Sequence, residues 1–110
     1  MYDDNYSEQK HVHEVQGSVE IADKDDPHSH RFATISGEAI PYGNDSHYHE
    51  VKCRTDFFKE HYHEFRTNTS VAIKIGEKHV HYLQTVTTEE DKHKHELIAV
   101  TFIEDPTYIG

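Results

Sequence analysis

The sequence predicts an all-β fold: three repeated hairpin-like units around a pseudo-threefold axis, elongated, with a metal-stapled core. Three observations predict it. All twelve histidines fall into six His-x-His pairs. The residues that follow each pair recur at steps of two, which is the period of a strand. A longer unit of about 33 residues then occurs three times, the mark of stacked or radially arranged repeats.

The pairs are His11/His13, His28/His30, His47/His49, His61/His63, His79/His81 and His93/His95. Four residues after each first histidine stand Val15, Phe32, Val51, Phe65, Leu83 and Leu97, all apolar. Six residues after it stand the small Gly17, Thr34, Cys53, Thr67, Thr85 and Ala99, and eight after it Val19, Ser36, Thr55, Thr69, Thr87 and Thr101. One face of each strand therefore reads His, His, apolar, small, Thr, over about nine residues per strand. The second, fourth and sixth segments run on into related stretches, Ser36–Gly43, Thr69–Gly76 and Thr101–Tyr108. Units of 11–46, 47–78 and 79–110 follow, in a single domain of residues 11–110. Within the units, Asp56–Glu60 and Thr88–Lys92 are short links suited to hairpins, and Ala22–Pro27 is a turn by composition. Residues 1–10 lack the pattern and read as a flexible acidic tail.

With 110 residues, 34% of them apolar, and no tryptophan, the chain has little material for an ordinary core. Its one cysteine rules out an internal disulfide framework, so metal is the staple that remains. A net charge of −10 argues against nucleic acid and anionic membranes as partners, since both require a basic patch. No apolar run approaches a transmembrane span, and residues 1–8 lack the basic and apolar regions of a signal peptide. A cytoplasmic location is expected.

Imidazole is the commonest protein ligand for transition metals. Threefold repetition of one pair brings six imidazoles to an axial point, and six nitrogens there form an octahedron. The odd pairs predict one site, His11, His13, His47, His49, His79 and His81; the even pairs predict another, His28, His30, His61, His63, His93 and His95. About two transition-metal ions per chain are expected, with Fe(II) the first choice and Ni, Co or Zn as alternatives. Zinc prefers four ligands. A six-histidine site is closed, so the expected role is structural and non-catalytic. A metal store or buffer is the second reading, and a metalloenzyme with an open coordination position the third. No protein partner can be named, and one chain suffices to complete both sites.

Glu14, Glu50, Glu64 and Glu96 follow four of the pairs on the opposite strand face and read as solvated charge rather than ligands. Cys53 reads as a buried spacer, the Thr positions as hydrogen-bonded packing, and one of Phe57 and Phe58 as a cap on the core.

The run from His11 to Pro106 resembles the YmaF family, small proteins of unassigned function from spore-forming Gram-positive bacteria. The resemblance is carried by His11-Val-His-Glu, His28-Ser-His-Arg-Phe-Ala-Thr-Ile-Ser-Gly-Glu-Ala-Ile-Pro41, Thr55-Asp-Phe-Phe58, Lys78-His-Val-His81, Val86-Thr-Thr88 and Ile103-Glu-Asp-Pro106. It implies no activity, and it adds the spore to the expected locations. The receptor-binding tip of the long tail fibre of T-even phages is similar in architecture, with repeated His-x-His strands. There three chains supply six imidazoles to each axial iron, whereas this sequence looks like a single-chain version whose strands must run up and down.

Overall fold

The computed structural model describes residues 11–106; residues 1–10, expected as an acidic tail, and residues 107–110, the end of the third unit, lie outside the described residues. Eleven strands follow one another: β1 (His11–Ser18), β2 (Arg31–Ile35), β3 (Ile40–Tyr42), β4 (Ser46–Tyr48), β5 (Glu50–Arg54), β6 (Glu64–Asn68), β7 (Ile73–Ile75), β8 (Lys78–Val80), β9 (Tyr82–Val86), β10 (Glu96–Val100) and β11 (Glu104–Pro106). The fold is all-β and elongated, 59 × 24 × 21 Å. Among the described residues no helix is long and apolar enough to cross a membrane.

Three antiparallel hairpins form the shaft: β1/β2, β5/β6 and β9/β10. Each matches an apolar residue with a small one across the strands, as in Val15↔Thr34 and Gly17↔Phe32, Val51↔Thr67 and Cys53↔Phe65, Leu83↔Ala99 and Thr85↔Leu97. Alternation sends these residues inward. The resulting core is seven buried side chains, Val15, Val19, Phe32, Val51, Phe65, Leu83 and Leu97, with Cys53 and Ala99 packed against it. The Phe32 and Phe65 rings meet edge to face at 5.1 Å. Gly17 makes room for the Phe32 ring: a Cβ there would stand 3.2 Å from its Cζ.

The hairpins join at three seams, each closed by two backbone hydrogen bonds. Gly37 N–H donates to Glu50 O and Asp56 N–H to Arg31 O. Ser70 N–H donates to Tyr82 O and Thr88 N–H to Glu64 O. Phe102 N–H donates to Glu14 O and Glu20 N–H to Glu96 O. The first bond of each seam lies near the odd histidine pairs and the second near the even pairs.

The stretches after Ser36, Thr69 and Thr101 do more than extend the strands. Each turns back onto a strand that carries the first histidine of an odd pair: β3 on β4, β7 on β8, and β11 on the start of β1, with His11↔Pro106 and His13↔Glu104 in register. The β3/β4 pairing crosses the boundary expected between the first and second units. Gly76, at φ +63°, opens the two-residue β7/β8 turn, a backbone conformation that glycine adopts without steric cost. The β11/β1 pairing ties the end of the described chain to its start.

The links at the other end are tight turns. Phe58 bridges His61 across Lys59 and Glu60, and Glu90 bridges His93 across Asp91 and Lys92. All four central residues have positive φ, between 51° and 69°. Such turns match strand twist but favour Asn and Gly, so these side chains hold a strained backbone beside the even histidines.

Candidate metal centres

The strand register brings the twelve histidines into two groups of six. His11, His13, His47, His49, His79 and His81 meet at one end of the shaft; His28, His30, His61, His63, His93 and His95 meet at the other. Within each group, six ligand atoms, one per residue, lie within 4.8 Å of one another, and either cluster could hold a metal ion. These are the sets that the alternation of pairs predicts. Val19 N–H bonds His30 O, and His13 lies six residues before Val19, so the inner histidines of the two groups stand ~20 Å apart at ~3.3 Å per residue.

In the odd cluster the outer nitrogens close a triangle: His11 Nε2 to His47 Nε2 is 3.2 Å, His47 to His79 3.1 Å and His79 to His11 3.1 Å. The inner nitrogens stagger against it, with His13 Nε2 3.1 Å from His79 Nε2 and His49 Nε2 3.2 Å from His11 Nε2. In the even cluster His28 to His61 is 3.3 Å, His30 to His61 3.1 Å and His63 to His93 3.2 Å.

What fixes the rings is the other nitrogen. His13 Nδ1 donates to Phe102 O at 2.8 Å, His49 Nδ1 to Gly37 O at 2.7 Å and His81 Nδ1 to Ser70 O at 2.8 Å. At the far end His30, His63 and His95 donate to Asp56 O, Thr88 O and Glu20 O at 3.2, 2.9 and 2.8 Å. The outer even histidines reach back two residues: His28 to Asp26 O, His61 to Lys59 O and His93 to Asp91 O, at 2.7–3.0 Å. A carbonyl only accepts, so the proton of these neutral rings sits on Nδ1 and Nε2 carries a bare lone pair. The short Nε2–Nε2 contacts of the even cluster, His28 to His61, His30 to His61 and His63 to His93, are therefore acceptor facing acceptor. His81 Nε2 and His95 Nε2 are buried with no partner. Buried, converging lone pairs of this kind call for a cation, and they carry the outer hydrogen bonds that metal-binding imidazoles use.

Seam and site are one construction. Gly37, Asp56, Ser70, Thr88, Phe102 and Glu20 each use N–H to hold the next hairpin and C=O to hold an imidazole. Beside them the inward hydroxyls accept the inner histidine amides: Ser36 from His13, Thr69 from His49, Thr101 from His81, Thr55 from His63 and Thr87 from His95, at 3.0–3.1 Å. Val19 occupies the position that would serve His30.

These supporting groups were not singled out in the sequence, because a carbonyl carries no side-chain signal. Their positions are readable afterwards as the residue following each eighth-position residue. Glu14, Glu64 and Glu96 are exposed, and Glu50 pairs with Arg66 at 2.7 Å, in keeping with solvated charge. The Phe58 ring lies 6.1–6.3 Å from the His28 and His30 rings, while Phe57 is exposed.

Burial, reinforced by mutual repulsion among the imidazoles, pushes His11 down to about 2 and His47 to about 4. The same burial takes His49 and His81 to about 3 against the opposing pull of their carbonyl partners. His30, His63 and His95 are lowered by burial too. The rings are thus neutral and ready to ligate at neutral pH.

The sequence model of the YmaF family, described as spore germination protein GerY/YamF, matches residues 8–103. No curated protein and no solved structure matches the chain.

Two predictions follow from this geometry. Thr87→Val strips the His95 amide of its acceptor and should cost ~1–3 kcal/mol in denaturant unfolding, whereas Val19→Thr should cost nothing; equal losses would contradict the role given to the hydroxyls. The unfolded chain protonates His47, His49 and His81 near 6.5 and the folded chain only at about 4, 3 and 3, so the stability they contribute is full above 6.5 and falls as pH drops toward 3. Circular dichroism should show acid unfolding in that window, and an intact fold at pH 3 would contradict it.

Proposed function

We propose that this chain, which belongs to the YmaF family, holds two divalent transition-metal ions in closed six-histidine sites, and that these ions staple three pseudo-equivalent hairpins about one axis. The observation that carries the reading is the buried convergence of Nε2 atoms 3.1–3.3 Å apart. An octahedron with such edges has its centre at the edge divided by √2, about 2.2–2.3 Å from each nitrogen, and diagonals of about 4.4–4.7 Å. That agrees with the 4.8 Å limit on each cluster and exceeds the ~2.0–2.1 Å of a tetrahedral zinc–imidazole bond. Fe(II) is the first choice, with Ni(II) and Co(II) next and zinc last.

Six imidazoles leave no position for water or substrate, so the chain is not an enzyme on this reading. A core of seven side chains supports a structural task for the ions. The family's description supports a place for this module in the spore and its germination.

Elemental analysis of protein from unsupplemented cells should give two metal ions per chain, and stripping them with a chelator should abolish the β signal in circular dichroism. Metal-free protein from cells would refute the proposal. A fold that survives complete stripping would refute the structural role and indicate a metal store.

A further inference from the structure

The two clusters differ in what stands behind their imidazoles. In the even cluster all six Nδ1 atoms donate to backbone carbonyls, and three also face a carboxylate. His30 Nδ1 lies 3.2 Å from Asp56 Oδ1, His93 Nδ1 3.5 Å from Asp23 Oδ2 and His61 Nδ1 3.9 Å from Asp91 Oδ2. In the odd cluster, among the described residues, Glu104 Oε1 lies 3.4 Å from His79 Nδ1 and accepts the His79 amide at 2.9 Å. His11 Nδ1 is buried and finds no partner among the described residues.

We propose that Asp56, Asp23 and Asp91 are positioning residues that raise the affinity of the even cluster for a divalent cation. The inference rests on the reading of both clusters as metal sites. Two physical effects run the same way. A carboxylate on Nδ1 makes the imidazole a stronger donor and holds its tautomer, and such outer partners are worth roughly 10–100-fold in affinity. Their negative charge close to the ion adds Coulomb attraction, which exposure to solvent weakens. Asp56 acts most strongly because it is hydrogen-bonded to its ring and also accepts the Arg31 amide at 3.2 Å, which fixes its own rotamer. Asp23 follows. Asp91, the most distant and most exposed, contributes least.

The ends of the shaft add a second asymmetry. Each outer even histidine follows a tight turn whose own carbonyl it engages, so the ring is placed by local chain. The odd cluster draws His11 and His13 from the start of the described chain, and they are held by β11 from its end. Losing the odd ion releases a closure between distant segments, while the even ion sits on local structure.

The test is stepwise chelation of the two-cobalt protein, followed through paramagnetic shifts of amide signals near each site. Those of Ser70 and Phe102 report the odd cluster and those of Thr55 and Thr88 the even cluster. Asp56→Asn keeps an oxygen for the Arg31 amide but removes the charge; it should weaken the even cluster alone by roughly tenfold, with partial recovery in Asp56→Glu. Glu104→Gln should weaken the odd cluster alone. An Asp56→Asn variant that leaves the even cluster unchanged, or weakens both clusters equally, would overturn this inference alone. Protein that takes up no cobalt would overturn the underlying metal reading as well.

Discussion

Six imidazole nitrogens crowd one buried point in each cluster, as bare lone pairs throughout the even one, and the rest of the molecule is arranged around that unfavourable contact. Every ring in the even cluster, and the three inner rings of the odd cluster, are locked by a carbonyl on Nδ1, so rotation cannot relieve the repulsion. In the odd cluster protonation cannot relieve it either, because burial and neighbouring rings hold His11, His49 and His81 neutral. A cation at the centre would turn the same geometry from a liability into an attraction.

Seen this way, the thinness of the hydrophobic core makes physical sense. Three five-residue hairpin pairings with seven buried apolar side chains between them would make a marginal domain. The two clusters sit at the ends of that short core and join all three hairpins at each end. Seam residues such as Gly37 and Asp56 couple the joints, since one peptide group holds both the neighbouring hairpin and a ligand ring.

Much of this was legible in the sequence because a strand's period of two is short and strict. Once His13, Val15 and Gly17 face inward, their counterparts in the other hairpins have little freedom, and the grouping of twelve histidines into two sets follows from the alternation of the pairs. The second set of hairpins was not legible. β3 and β7 are exposed along their whole length, so no buried face imposes an alternation on them, and only Gly43 and Gly76 hint at a turn. The β11/β1 closure joins residues more than ninety positions apart, beyond any local pattern. The turns at Lys59-Glu60 and Asp91-Lys92 were hidden for the opposite reason: their residues are poor formers of the conformation they adopt, and the pairing of the strands on either side imposes it.

The central claim concerns the number and distance of nitrogens around one ion. X-ray absorption at the K-edge of the metal found in the purified protein measures both. The account predicts a single shell of six nitrogens at about 2.2–2.3 Å with the outer-shell scattering of imidazole rings, the radius set by edges of 3.1–3.3 Å. Four ligands near 2.0 Å, or a sulfur or light oxygen shell in place of the rings, would contradict it.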